Sequence, residues 1–483
     1  MDLTTMDLRS VLKLVKTGQI TSVELTNACL DKARATTYLN AYTFINKETA
    51  IQNASFVDKK IKLHKHTGIL SGVPIAIKDN FSTIGMPTSC ASNMLKGHIY
   101  DMDATAVKKL KEQDAVIIGK TNMDEFAMGN GSDTSAFGKV RNPIDTDLTP
   151  GGSSGGSAVA VAVGSSFASL GTDTGGSVRQ PAAYCGITGL KPTFGRVSRH
   201  GVFPLAHSLD HVGCLTKTVK DNLLVFETIY GVDELDKPTI RQENTNFDTH
   251  CLEYTNKLLR VGVLKQSFNV LVDEDVKACV SKAADFFTNE GYVVEEVDFK
   301  LAQYISTTYI ILCCGGAVKN LSNMDGVKSG NIIDHAITFE DAAQATRGEY
   351  FGLEAKKRLI LGQYFTSTAN YTKYYDKARK IRTLIVDYFK DIFTKYDIIM
   401  CPTATSSAHK VGMHNAEQLE YNDVFAATAN LTGRPAISVP CGKDKSGMPM
   451  GLQFMGKTYN EHDVFNIAYF YEQNIGKEFI TKL

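Results

Sequence analysis

Two glycine- and serine-rich tracts lie close together between Pro150 and Pro181. The first is Gly151-Gly152-Ser153-Ser154-Gly155-Gly156-Ser157 and the second is Gly171-Thr172-Asp173-Thr174-Gly175-Gly176-Ser177. Serine attacks a carbonyl only when a base removes its proton, and glycine lets backbone N–H groups approach a developing anion. Tracts of this composition are often plain linkers. These two are flanked by apolar Ala/Val runs, and a linker would not be buried between such runs.

A nucleophilic serine needs its base identified. None of the eleven histidines falls in the tracts, and His207 and His211 are the nearest downstream. A lysine can take the role when burial disfavours its charged form. Lys78 closes the apolar run Gly72-Val73-Pro74-Ile75-Ala76-Ile77. Taken alone it would read as an ordinary strand-end lysine.

Two competing motifs fail on context. Gly119-Lys120-Thr121 has the ending of a phosphate-binding loop, but the required upstream glycine is replaced by Asp114. Gly152-Ser153-Ser154-Gly155-Gly156 fits G-x-S-x-G, whose serine should follow a strand directly. Asp147-Leu148-Thr149-Pro150 makes a poor strand, which leaves Ser154 as a secondary candidate nucleophile.

The elements that would carry these residues alternate. Leu8 to Lys16 reads as a helix, and a second helix opens at a capping box, Thr21 with Glu24, and runs to about Ala35. Strands are expected at Gly72–Ile77, Ala115–Ile118, Arg260–Leu264, Tyr292–Val294, Asp397–Met400 and Ala436–Val439. Helices are expected at Ala104–Gln113 and Asp273–Glu290. That alternation favours an α/β fold with a mostly parallel sheet covered on both faces. The polar segment Gly231–Asn256 reads as a long surface connection. We expect one domain across it, because the strands on either side look equally buried.

Composition narrows the function classes. The chain has 483 residues, 43% of them apolar, and 52 basic side chains balance 52 acidic ones. Balanced charge gives no footprint for direct nucleic-acid or anionic-membrane binding. The ten cysteines form no C-x-x-C pair or zinc-like spacing, so reduced buried thiols are expected. The N-terminus lacks the features of a secretory or transit peptide, and a soluble cytoplasmic protein is expected.

The two tracts resemble the amidase signature. Lys78 stands 75 residues before Ser153, and Ser153 stands 24 before Ser177, spacings similar to that family's Lys–Ser–Ser triad. The resemblance runs from near residue 5 almost to the C-terminus. It implies Ser177 as acyl-enzyme nucleophile, Ser153 (after a cis peptide) as proton relay and Lys78 as base. It also implies an oxyanion hole at the N–H groups of Thr174, Gly175 and Gly176. The implied fold is one α/β domain with a central mixed, largely parallel sheet between helices, made of a helical segment 1–60, a signature region 61–230 and a remainder 257–483.

Finer features resemble the glutamine-hydrolysing branch of the family, which serves tRNA-dependent amidotransferases. These are Pro74-Ile75-Ala76-Ile77-Lys78-Asp79-Asn80, Gly119-Lys120-Thr121-Asn122-Met123-Asp124-Glu125-Phe126 and Gly189-Leu190-Lys191-Pro192-Thr193-Phe194-Gly195-Arg196-Val197-Ser198. By that resemblance Arg358 binds the glutamine carboxylate, Asp423 its ammonium, and Tyr309 lines the substrate site. Two partners are implied, the B and C subunits of a heterotrimer. Ammonia passes to the larger of them, which amidates Glu-tRNA(Gln), and the smaller completes the assembly. No cofactor is implied in this chain; ATP and Mg²⁺ are implied at the amidating partner. The alternative is a stand-alone amidase for small aliphatic or aryl amides. Four features depart from that branch: Gly316 where Glu is usual, a short loop Gly131–Ser135, Ala427-Thr428-Ala429 without a usual proline, and Cys214 in place of another proline.

Overall fold

The computed structural model describes residues 2–241, 252, 259–333, 338–413 and 416–483. Eleven strands form one sheet: β1 Tyr42–Ile45, β2 Pro74–Lys78, β3 Val116–Thr121, β4 Ala168–Asp173, β5 Thr188–Lys191, β6 His211–Thr216, β7 Arg260–Leu264, β8 Val293–Val297, β9 Ile398–Pro402, β10 Ala436–Lys443 and β11 Pro449–Gly456. Their order is β1-β3-β2-β4-β6-β5-β10-β11-β9-β7-β8.

The sheet is mixed. β3, β2 and β4 run parallel to one another, as do β9, β7 and β8. The strands between these blocks pair antiparallel, through β6, β5, β10 and β11, and β1 adds an antiparallel edge. Successive strand residues face opposite sides of a sheet, so a strand buried at every position must be covered on both faces. β2, β3, β4, β5, β6, β9 and β11 are buried throughout, whereas the edge strands β1 and β8 are not.

Most expected elements fall where the residues place them. Helices span Leu8–Lys16 and Ser22–Ala35, the second with the Thr21/Glu24 capping box formed in both directions. Helices Thr105–Glu112 and Glu274–Asn289 fill the other two expected spans. β3 runs three residues further than expected and ends at Thr121, because Lys120 is buried rather than facing water. The expected connection Gly231–Asn256 lies largely outside the described residues.

The nine described cysteines are free and buried. No helix among the described residues is long and apolar enough to cross a membrane.

Two of the family departures have a local account. Gly316 lies where the helix Ile305–Leu321 presses on a loop: a Cβ there would sit 2.8 Å from Ala206 Cβ. A glutamate has no room at that contact. Cys214 is buried inside β6 and pairs with Leu170 on one side and Leu190 on the other, a place where proline would remove a ladder donor. Nothing in the structure explains the missing proline in Ala427-Thr428-Ala429.

Candidate active site

The parallel block brings three chain segments to one edge. Lys78 is the last residue of β2, Thr121 of β3 and Asp173 of β4, so their side chains and following loops gather at the carboxyl ends of those strands. Open α/β sheets place ligands in that position. The first glycine tract turns there into the helix Gly155–Ala162, and the second leads into the helix Arg179–Cys185.

Lys78 Nζ is fully buried among oxygen atoms. It lies 2.7 Å from Ser153 Oγ, 2.8 Å from Ser154 Oγ, 2.9 Å from Thr172 Oγ1 and 3.4 Å from the Thr172 carbonyl. Burial lowers its pKa to about 7, while the carboxylates of Asp124, Asp173 and Asp210 pull the other way. A neutral amine has two N–H groups and one lone pair, so one of the three surrounding hydroxyls can donate to it. That places a proton-accepting nitrogen against Ser153 near neutral pH.

The peptide Gly152–Ser153 is cis. Asp124 lies against this turn. Its N–H donates to the Ser153 carbonyl at 3.3 Å, and its carboxylate accepts from the N–H groups of Ser132, Asp133 and Thr134. The short loop Gly131–Ser135 is therefore wrapped on one buried carboxylate.

Ser177 stands apart from this cluster. It is 8% exposed, it lines a cavity of about 670 Å³, and its hydroxyl donates to no partner among the described residues. Ser153 and Ser154 are fully buried and do not line that cavity. Ser154 Oγ is held between Lys78 and the Thr172 carbonyl, at 3.2 Å from the latter. Of the three serines, Ser177 is the one that a substrate can reach, and the secondary candidacy of Ser154 loses its basis.

The loop before Ser177 is braced from below. Asp173 accepts two hydrogen bonds from the Arg179 guanidinium, 3.0 Å from Nε to Oδ2 and 2.9 Å from Nη2 to Oδ1. Arg179 also donates to Gln453 Oε1 and Asn430 Oδ1, and Asn430 returns a bond to Asp173. Burial would raise the Asp173 pKa, but the Arg179 charge and its hydrogen bonds outweigh this and hold the carboxyl well below the usual range.

Asp173 also accepts from the Gly176 N–H at 2.8 Å. Gly176 is therefore engaged away from the cavity, which amends the expected oxyanion hole. The remaining expected donors are Thr174 and Gly175, and Gly175 lines the cavity beside Ser177. Thr174 is fixed through its own hydroxyl, which donates to Asp210 at 2.7 Å.

Glycine is required at both positions before Ser177. Gly176 adopts φ +119°, which side chains other than glycine avoid, and a Cβ on Gly175 would overlap the Tyr309 ring. Tyr309 therefore rests directly on the loop.

The three residues assigned to the substrate line the same cavity as Ser177. Tyr309 comes from the helix Ile305–Leu321, Arg358 from Leu353–Thr366 and Asp423 from Ala416–Leu431. Arg358 donates through Nε to Glu354 Oε1 at 2.8 Å, one turn earlier on its helix. Asp423 Oδ2 accepts from Ser306 Oγ at 2.9 Å. One wall of the cavity thus carries a guanidinium and another a carboxylate, with the Ser177 hydroxyl on the floor.

The other sequence candidates resolve differently. Gly119-Lys120-Thr121 is strand, not loop; buried Lys120 donates to the carbonyls of Phe81 and Pro87 and lies 3.3 Å from Asp79. His211 is buried with Nδ1 2.6 Å from the Leu209 carbonyl, and neither it nor His207 lines the cavity. Asn130, Thr134, Gln180 and Glu354 line it without having been singled out in the sequence. Thr172 and Asp173 sat inside the quoted tract, but their roles as lysine partner and loop brace had no sequence signal of their own.

A buried lysine with a lowered pKa, a serine hydrogen-bonded to it, an accessible serine and backbone N–H groups beside the cavity are the parts of an acyl-transfer site. Comparison with known proteins agrees. The amidase family model matches residues 24–465. The A subunit of the glutamyl-tRNA(Gln) amidotransferase from Lachnospira eligens is 42% identical, over 96% of this chain and 97% of that protein. The crystal structure of the A subunit of the Thermotoga maritima glutamyl-tRNA(Gln) amidotransferase superposes with a TM-score of 0.81 at 34% identity, covering 98% of this chain and 96% of that one. The peptide amidase of Stenotrophomonas maltophilia gives the same TM-score of 0.81 at 29% identity, covering 97% of each chain. With the signature tracts, their spacing and the fold all in agreement, the chain belongs to the amidase family.

Proposed function

We propose that this chain is the glutamine-hydrolysing subunit of a tRNA-dependent amidotransferase, supplying ammonia for conversion of Glu-tRNA(Gln) to Gln-tRNA(Gln). The observation that carries this is the placement of Arg358 and Asp423 on the walls of the Ser177 cavity. A free amino acid presents a carboxylate and an ammonium, and these two side chains match them in charge. A stand-alone amidase for small aliphatic or aryl amides would use the same serines and lysine but would leave Arg358 and Asp423 without a substrate partner.

In this mechanism Arg358 and Asp423 hold the ends of glutamine and leave its side-chain amide over Ser177. Ser177 Oγ attacks the amide carbon as its proton passes to Ser153 Oγ and the Ser153 proton passes to Lys78 Nζ. The free Ser177 hydroxyl enters the relay as substrate settles, since catalytic hydrogen bonds often tighten only in the complex. The oxyanion forms against the loop N–H groups, where donors fixed in advance lower the barrier most. The proton returns through Ser153 to the departing nitrogen, and ammonia leaves. Water then cleaves the γ-glutamyl ester by the same route and releases glutamate.

The B and C subunits, with ATP and Mg²⁺ at the amidating partner, complete the proposed heterotrimer. Its test is ammonia release from glutamine by this chain co-expressed with those two partners. Glutamine hydrolysis by the co-purified complex supports the proposal. Hydrolysis of neutral amides with none of glutamine would assign a stand-alone amidase instead.

A further inference from the structure

We propose that Glu125 is a positioning residue that sets where Arg358 stands relative to Ser177, and so governs recognition of the substrate carboxylate. This rests on the function proposed above for the Ser177 cavity.

Glu125 is 2% exposed and reaches across to the helix that carries Arg358. Its Oε2 accepts from the N–H of Gly352 at 2.7 Å, and Gly352 is the N-cap of the helix Leu353–Thr366. The first N–H groups of a helix have no partner within it, so a carboxylate there both satisfies a donor and interacts well with the helix dipole. Oε1 accepts from Ser92 Oγ at 2.5 Å, which holds the carboxylate from the other side.

The backbone of Glu125 is tied to the catalytic floor. Its N–H donates to Thr134 Oγ1 at 3.0 Å, and Thr134 Oγ1 donates to Asp124 Oδ1 at 3.0 Å. The Asp124 N–H in turn donates to the Ser153 carbonyl. A continuous set of hydrogen bonds therefore runs from the relay serine to the start of the Arg358 helix. Arg358 lies six residues beyond Gly352, about 9 Å along the helix axis at 1.5 Å per residue. A shift at the cap is carried to the guanidinium by the helix as a rod.

Gly352 shows how close this contact is. Its φ of −66° and ψ of 168° suit any residue, so its backbone does not call for glycine. A Cβ there would lie 2.5 Å from Glu125 Oε2. The close approach of the carboxylate is the reason no side chain fits.

The experiment compares glutamine with a small neutral amide that lacks the α-carboxylate, using the assembly in which wild-type glutamine hydrolysis has been established. That first measurement tests the proposed function itself; the variants then test the link. Glu125→Ala should raise KM for glutamine by about tenfold, the scale of one weakened charge-assisted contact. Its kcat/KM for the neutral amide should stay within about twofold, because the serines and lysine are untouched. Glu125→Gln keeps an acceptor for Gly352 and should recover most of the loss. Gly352→Ala should reproduce the KM effect in the wild type and add nothing in the Glu125→Ala background. Equal losses on both substrates in soluble, folded variants, no change on glutamine, or a full additional effect of Gly352→Ala in Glu125→Ala would each overturn the assignment.

Discussion

The floor and the walls of the cavity are built by different means. The floor holds Lys78, Ser153, Thr172, Asp173 and Arg179, on strand ends, a glycine-rich turn and the first residue of a short helix, and all buried. Nearly every polar atom there has a partner inside the protein. The walls hold Tyr309, Arg358 and Asp423, each on a separate helix, and the bond from Arg358 to Glu354 runs along its own helix rather than to the floor. The floor is a fixed set of buried hydrogen bonds around Lys78 and Asp173. The walls are a set of helices whose relative placement decides what fits over it. Chemistry and selectivity should therefore fail separately when mutated.

The largest expected effect is on the floor. Ser177→Ala should remove hydrolysis of every amide, a loss on the order of 10⁶ in turnover as for other coupled nucleophile units. Wild-type-like turnover in this variant would mean that the accessible serine is not the nucleophile. Lys78→Ala should be nearly as damaging on all substrates.

The pH profile sharpens the same point. Burial brings Lys78 down to about 7, and only the neutral amine accepts a proton. Activity should therefore rise with pH through about 7 and fall below it, on glutamine and on neutral amides alike. A pH-independent rate across that range would remove lysine as the base.

A wall mutation should behave otherwise. Arg358→Ala loses a charged contact worth ~1.5–3 kcal/mol, so kcat/KM for glutamine should drop roughly ten- to a hundredfold while a small neutral amide is much less affected. Arg358→Lys should not be mild, because an ammonium lacks the planar fork. Parallel losses on both substrates would erase the distinction between floor and walls.

The smallest expected effect separates two adjacent serines. Ser154→Ala removes one partner of Lys78 but leaves Ser153 and Thr172 in place, so turnover should fall by about tenfold or less. A loss as deep as that of Ser177→Ala would give Ser154 a direct chemical role.

This division also explains what could be read in the sequence. The floor comes from local motifs whose residues stand at fixed distances along the chain, so Lys78, Ser153 and Ser177 are recognisable once those motifs and distances are set beside the amidase family's. Tyr309, Arg358 and Asp423 have no surrounding motif of that kind and were reached only through family resemblance. In the parallel blocks β2, β3, β7, β8 and β9 followed from apolar runs, whereas β4, Ala-Ser-Leu-Gly-Thr-Asp, did not. Of the antiparallel middle, β10 followed from the run Ala436–Val439, but β5 and β6 did not, because Thr-Gly-Leu-Lys and His-Val-Gly-Cys-Leu-Thr lack a strong apolar signature. The engagement of Gly176 by Asp173 was likewise invisible, since the glycine tract alone does not say which way an N–H points. Glu125 lies within a motif, but its contact with Gly352, far along the chain, has no sequence signal.

The brace beneath the Ser177 loop has a consequence in time. Arg179 receives Asn430 from 251 residues later and Gln453 from 274 residues later. A ribosome that has just released the signature tracts has made neither partner. Until then the guanidinium has Asp173 but lacks the two amides that complete its shell, and β5 has no β10 to pair with. The nucleophile loop is thus finished only once Gln453 has been made. Chains cut short before Gln453 should carry Lys78, Ser153 and Ser177 intact and still be inert.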